Sequence, residues 1–298
     1  IAGIAGIAGI AGTAGTTGTA TSKRFVEMGI AEQDMVSFAG GLALAGRLPV
    51  VHTYAAFLAR AIEQIRLNQI DGARVILAGH YAGLGYYSDG KTHQSLDDVG
   101  LMRAIAGLPV FDPVDSRQAR ALLRWAVRHA PAGVYFRLRR MGVGLDTEPL
   151  LAAAARAEDQ ATSLAALTRP MVLGDDGGAG CFVAMGPLAT RLALDTQATA
   201  GLGDWPVLVQ SVICDEPELH AAADLIGQRR RIVTIEDGHH ATGLHAWVCA
   251  LLGRVGAGGC RVEPVSVEGF GPSFRTYEAC ARHHGFTVEA TRRAAGLG

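Results

Sequence analysis

Charge, aromatic rings and long apolar runs are all scarce in this 298-residue sequence. Only 18% of its residues are charged, and the 27 Lys and Arg so nearly balance the 28 Asp and Glu that no basic excess is present to recruit nucleic acid or an anionic membrane. No uninterrupted apolar run approaches the ~20 residues that a bilayer-crossing helix needs, and the N-terminus lacks the basic region of a secretory signal. Cysteine is absent from the first 180 residues. The five present, Cys181, Cys214, Cys249, Cys260 and Cys280, form no C-x-x-C pair. That spacing excludes a zinc knuckle and a disulfide framework and points to reduced, buried thiols in a cytoplasmic protein. The sequence does have apolar bulk: at 49% hydrophobic it can bury a sizeable core, and its length suggests two domains.

Ile1 to Gly12 repeat Ile-Ala-Gly, and a Thr/Ala/Gly stretch follows. A period of three fits neither strand nor helix, so residues 1–22 are read as a low-complexity segment of unassigned fold. From Lys23 the texture becomes an alternation: helix 32–45, strand 49–54, helix 55–69, strand 74–78, helix 95–107, strand 109–111, helix 116–129 and strand 133–138. Such alternation predicts a parallel sheet covered by helices, hence α/β. The glycine-rich loop 79–91 after strand 74–78 lies where open α/β sheets carry ligands. Residues 142–180 read as an interdomain connection. Strand 181–185, helix 187–200, strand 206–212, helix 216–227, strand 231–235 and helix 243–253 then predict a second doubly wound domain over 181–298, after a first over 23–141.

Several segments carry chemistry. Phe25-Val-Glu-Met-Gly-Ile-Ala-Glu-Gln-Asp34, then Met-Val-Ser-Phe-Ala-Gly-Gly-Leu-Ala-Leu-Ala-Gly46, Thr53-Tyr-Ala-Ala-Phe57, Asp89-Gly-Lys-Thr-His-Gln94 and Leu101-Met-Arg-Ala104 stand in the order found in transketolases. Together they resemble the pyrimidine-binding domain of that family. Ile232-Val-Thr-Ile-Glu-Asp-Gly238 and Phe270-Gly-Pro-Ser273 resemble its C-terminal domain. The resemblance implies thiamine diphosphate, whose thiazolium carbon serves as the nucleophile. It places Glu32 as the catalytic carboxyl group that shares a proton with the aminopyrimidine ring. Tyr54 and Phe57 become the aromatic residues flanking that ring. Asp89 and His93 become contacts to the sugar hydroxyls, with His93 able to move protons near neutral pH. Arg140 aligns with an arginine that grips the substrate phosphate, and its neighbour Arg139 replaces a small residue. A solvated basic pair is the alternative for the two arginines.

Two departures qualify the resemblance. The Gly-Asp-Gly segment and following asparagine, which in transketolases hold the divalent metal and the diphosphate, have no counterpart. Gly174-Asp-Asp-Gly177 is the nearest string and lies in the wrong place. The expectation is therefore a split enzyme. A partner subunit would hold Mg2+ or Ca2+ and the diphosphate, and two chains of each kind would form a heterotetramer. Tyr81, a neutral side chain, stands where transketolases have a phosphate-binding histidine. Phosphate recognition favours charge-assisted donors, so the acceptor is expected to be a non-standard one, such as a carrier-bound thioester. No residues are assigned to a metal in this chain. Glu236-x-x-His239-His240 has ligand-like spacing, but its strand-to-helix position favours packing. The competing readings are a deoxyxylulose phosphate synthase-type decarboxylating condensation, a non-catalytic assembly subunit and a stand-alone binding module.

Overall fold

The computed structural model describes residues 6–8, 25–142, 145, 164–175, 177–214 and 220–297. The first half runs β1 (Gly6–Ala8), β2 (Phe25–Glu27), α1 (Glu32–Leu44), β3 (Val50–Tyr54), α2 (Ala55–Leu58), a 3-10 turn (Ala59–Ala61) and α3 (Ile62–Ile70). It continues with β4 (Ile76–His80), α4 (Asp98–Arg103), β5 (Val110–Phe111), α5 (Ser116–His129) and β6 (Val134–Leu138). The second half holds α6 (Leu164–Leu167), β7 (Met171–Leu173), β8 (Gly180–Met185), α7 (Gly186–Ala200), β9 (Val207–Val209) and β10 (Val212–Ile213). After these come α8 (His220–Gly227), β11 (Arg231–Glu236), α9 (Leu244–Arg254), β12 (Arg261–Val265), α10 (Tyr277–His283) and α11 (Val288–Ala294).

Two sheets result, ordered β10-β5-β6-β4-β3-β1-β2 and β12-β11-β8-β9-β7. Strands β3, β4, β6 and β5 are mutually parallel, as are β12, β11, β8 and β9. The alternating pattern thus locates the parallel centre of each sheet. The edges are antiparallel, with β1 on β3, β2 on β1, β10 on β5 and β7 on β9. Edge strands this short carry too little alternation to be read from sequence. Strand β1 comes from the Ile-Ala-Gly repeat, whose period of three assigns it no element; backbone pairing to β3 supplies one. Strand β7 falls within residues 142–180 and belongs to the second sheet. Residues 146–163 of that stretch, and 215–219 of the helix expected over 216–227, lie outside the described residues.

The expected strand 206–212 is broken. After β9 the backbone N–H of Gln210 donates to Ala184 O in the second sheet (2.9 Å), and Asp112 N donates to Ser211 O in the first (2.8 Å). The Gln210 amide fixes this crossing by donating to Thr168 O at 2.8 Å and Val212 O at 2.7 Å. Both sheets therefore share one backbone seam. One apolar core also spans them, from Met35, Val51 and Leu77 to Val183, Ile232 and Trp247. The far face of the first sheet packs Phe111, Phe136 and Trp125, and the far face of the second packs Phe182, Val207 and Ile235.

Candidate active site

Glu32 opens α1. The chain turns before it at Gly29, whose φ of +66° suits glycine and whose N–H donates to Glu27 Oε1 at 2.9 Å. No side chain caps α1, so its first turn leaves backbone N–H groups that favour a nearby carboxylate. The Glu32 side chain is only 3% exposed, and its partner among the described residues is Arg60 Nη1, 3.4 Å from Oε2. Arg60 itself is 62% exposed and reaches over Phe57, with Cζ 5.8 Å from the ring centroid. One long contact leaves the buried carboxylate with lone pairs to spare for another donor.

Arg60 joins Glu32 to an aromatic group at the carboxyl ends of β3 and β4. Tyr54 and Phe57 stack with centroids 5.1 Å apart and planes at 26°. Tyr81 meets Tyr54 edge-on at 4.6 Å and Tyr86 at 4.3 Å with the planes tilted by 35°. The His93 ring lies 5.3 Å from Phe57 and 5.7 Å from Tyr54. Tyr54 and Phe57 thus stack on one another and leave no slot between them. The stacked pair offers an outer face to a flat ring, a contact worth about 0.5–1.5 kcal/mol beyond area burial. Tyr81 is the non-glycine residue at positive φ (60°) among the described residues, a conformation costing on the order of 1 kcal/mol that turns its ring back onto Tyr54.

The loop from Tyr81 to Gln94 supplies the polar groups. The Tyr86 hydroxyl donates to Asp89 Oδ2 at 2.8 Å and Ser88 Oγ to Oδ1 at 3.0 Å. These donors hold the Asp89 carboxyl below its ordinary range, the Tyr86 bond contributing most. The same phenol is pushed well up, first by its hydrogen bond with Tyr54, then by burial and by Asp89. His93 Nδ1 pairs with Thr92 Oγ1 at 2.8 Å, which leaves Nε2 for a ligand. Asp89 is exposed and His93 half-buried, so both are accessible.

Arg140 stands apart. It is exposed just beyond β6 and forms no ion pair among the described residues. Arg139 is not part of a solvated pair: its side chain is 3% exposed and lies between Asp112 and Asp237. Beside it Arg137, 1% exposed, donates to Asp98 Oδ2 at 2.8 Å and Asp112 Oδ2 at 2.6 Å. Burial opposes the charge on both arginines, yet the surrounding aspartates raise Arg137 and Arg139 above their ordinary values. Tyr135 completes the group by donating to Asp98 Oδ2 at 2.7 Å. Sequence reasoning missed Arg60, Tyr86 and this cluster. The available signal for the cluster was Tyr135 and Arg137 at alternate positions of the apolar strand β6, with Arg139 following in the same spacing just past its end.

The described residues fit the pyrimidine end of thiamine diphosphate: a buried carboxylate with unused acceptor capacity, linked through Arg60 to half-buried aromatic rings. No group of three or more His, Cys, Asp or Glu among the described residues could hold a metal ion. Glu236 accepts from the backbone N–H groups of Leu244 and His245 at 2.7 and 2.8 Å and thereby caps α9. Its neighbour His240 pairs with Ser266 at 3.2 Å, so the Glu-x-x-His-His string is spent on packing. No helix among the described residues is long and apolar enough to cross a membrane.

Comparison with known proteins gives consistent findings. Residues 9–144 match the family described as "Transketolase, pyrimidine binding domain". The chain is 38% identical over 128 residues to the 6-deoxy-6-sulfo-D-fructose transketolase subunit SqwH of Clostridium sp. (strain MSTE9), covering 42% of this chain and 39% of that protein. It is 33% identical over 230 residues to the 1-deoxy-D-xylulose-5-phosphate synthase of Anaeromyxobacter dehalogenans, covering 74% of this chain and 33% of that protein. The chain thus spans at most about two fifths of these relatives. Among solved structures, a split gene transketolase described as an inactive beta4 tetramer superposes with TM-score 0.72 at 28% identity, covering 92% of this chain and 84% of that one. A transketolase from Leishmania mexicana shares the fold, with TM-score 0.70 at 21% identity over 91% of this chain and 37% of that one.

Proposed function

We propose, on the premise that the chain is a transketolase-family pyrimidine-binding subunit, that it forms part of a two-component thiamine diphosphate-dependent transferase. The reaction moves a two-carbon ketol unit from a ketose donor to an acceptor. The carrying observation is Glu32: a carboxylate buried at a helix start, whose one long partner among the described residues, Arg60, also reaches over the Phe57 ring. When bound, thiamine diphosphate supplies the nucleophilic thiazolium carbon. Glu32 holds a proton with the pyrimidine ring nitrogen, and the outer face of the Tyr54–Phe57 pair orients that ring. Asp89 accepts from substrate hydroxyls, and His93 exchanges a proton at the substrate oxygen through its free ring nitrogen. Arg140, exposed beyond β6, is the group available for an anionic substrate end.

A partner subunit carrying the diphosphate and metal site completes the enzyme, and self-association gives a heterotetramer. The SqwH relative is named as a subunit, and the split gene transketolase is described as inactive when it is a beta4 tetramer. Tyr81 presents a neutral ring where transketolases present a charged phosphate contact, which favours a non-standard acceptor, carrier-bound ones included. The synthase relative supports a second reading, a condensation in which the donor loses carbon dioxide.

The test is to combine the chain with its partner subunit, thiamine diphosphate, Mg2+ and a panel of ketose donors and aldehyde acceptors, and to weigh the products. A gain of one ketol unit by the acceptor, with no carbon dioxide, supports the proposal. Carbon dioxide release from a 2-oxoacid donor with no ketol transfer selects the condensation. Full activity with Glu32→Gln in place of the wild-type chain selects a non-catalytic assembly role.

A further inference from the structure

The loop bearing Tyr81, Tyr86, Asp89 and His93 belongs to the first half of the chain by sequence, but the second half holds it. Asp237, fully buried at the end of β11, accepts from the backbone N–H of Leu84 at 3.2 Å. The same carboxylate is fixed by Arg139, with Nη2 to Oδ1 at 2.6 Å and Nε to Oδ2 at 3.2 Å, and by Arg137 at 3.4 Å. Gly83, at φ +67°, lies so close that an added Cβ would sit 1.9 Å from Asp237 Oδ2. Further along the loop, Phe274 N donates to Tyr87 O at 2.9 Å, Gly271 N to Gln94 Oε1 at 2.9 Å and His239 N to Leu96 O at 2.9 Å. Its own half contributes Ala82 N to Leu138 O at 3.1 Å at the base of the loop. Between Leu84 and Leu96, the candidate substrate groups therefore lie among anchor points supplied by residues 237–239 and 271–274 of the second half.

We propose that the second domain sets the conformation of this loop, with Asp237 as the positioning residue. Asp237 acts through Leu84 and Gly83 and touches none of the groups placed at the reacting atoms. The carboxylate is well suited to this. Two arginines, themselves held by Asp112 and Asp98, donate to it from the side, so it stays fixed while accepting a backbone N–H. The loop base alone cannot set Tyr86, Asp89 and His93, since a loop of this length without anchors samples many conformations. The inference rests on the proposed function only in treating the loop as the substrate side of the site.

The experiment compares the full-length wild-type chain with Asp237→Asn and Gly83→Ala. Gly83→Ala forces the loop off Asp237 without altering any charge, and so serves where Asp237→Asn fails to fold. Hydrogen exchange is followed in the chain alone, and steady-state kinetics in the complex with the partner subunit. The expected result is amide exchange over residues 82–96 faster by about tenfold or more, with β3, β4 and β11 unchanged. In the complex, KM for the ketose should rise about tenfold, while the affinity for thiamine diphosphate stays within about twofold. Unchanged exchange over 82–96, or exchange accelerated equally across both sheets, overturns the inference and makes Asp237 mere glue. Faster loop exchange with an unchanged ketose KM also overturns it. A wild-type complex that transfers no ketol unit sinks the functional reading, and the exchange data alone then decide whether Asp237 sets the loop.

Discussion

Two polar clusters stand at the carboxyl ends of the strands of the first sheet, built from the same kinds of residue and put to opposite uses. Around Arg137, every charge is buried and answered: Asp98, Asp112 and Asp237 face Arg137 and Arg139, and Tyr135 donates to Asp98. Around Glu32, the carboxylate has one long partner among the described residues, Arg60 is largely exposed, Asp89 is exposed and His93 is half-buried. Burial with full pairing gives a rigid junction, whereas burial with an unfinished partner list gives a group ready to act. Arginine and aspartate are thus not functional signals in themselves; the unfilled hydrogen-bonding capacity is.

The comparison can be broken by substitutions that exchange these behaviours. Glu32→Gln should lower kcat of the reconstituted complex by about 10²–10⁴, the range for loss of a positioned proton-transfer group, with little change in melting temperature. Arg137→Met should do the reverse. It strands buried aspartates at a cost of about 3–5 kcal/mol, read by urea unfolding of the chain alone. A small stability loss there would mean the cluster is wet and the contrast false.

A pH series sharpens the same contrast. Burial pushes the Glu236 carboxyl up to about 7, against the backbone donors of His245 and Leu244 that pull it down. A carboxyl whose folded value is raised contributes stability that is full below its unfolded value, about 4.3, and is lost as pH rises towards about 7. Relative to Glu236→Gln, the wild-type chain should therefore lose about 3 kcal/mol between pH 4 and pH 8, measured by denaturant unfolding at each pH. A difference independent of pH would show that the backbone donors keep Glu236 ionised throughout. The smallest effect belongs to the open cluster: Tyr86→Phe removes the main donor to Asp89. The Asp89 carboxyl should then return towards its ordinary range in an NMR titration, with unfolding changed by less than about 1 kcal/mol, as for other exposed hydrogen bonds.

Much of this was legible in the sequence, and the gaps have physical causes. The long central helices and parallel strands follow from periodicity, and Glu32, Tyr54, Phe57, Asp89 and His93 were picked out by their motifs. The structure brings Tyr54, Phe57, Tyr81 and His93 together and links Phe57 to Glu32 through Arg60. Arg140 does not join them. The crossing at Gln210 and Ser211 was invisible because the run from Pro206 to Val212 reads as one strand; the backbone bonds of Gln210 and Ser211 to different sheets, and the Gln210 amide bonds to Thr168 and Val212, show where it changes sheets. The link from Asp237 to Leu84 spans 153 positions, and no local pattern can register such a bond.

The role proposed for Glu32 is to share a proton with the pyrimidine ring of thiamine diphosphate. Near-ultraviolet circular dichroism of the assembled complex, titrated with thiamine diphosphate, tests it most directly because the pyrimidine tautomers differ in their bands. An imino-tautomer band is expected with the wild-type chain and should disappear with Glu32→Gln while thiamine diphosphate still binds. The same band at full strength with Glu32→Gln would contradict it.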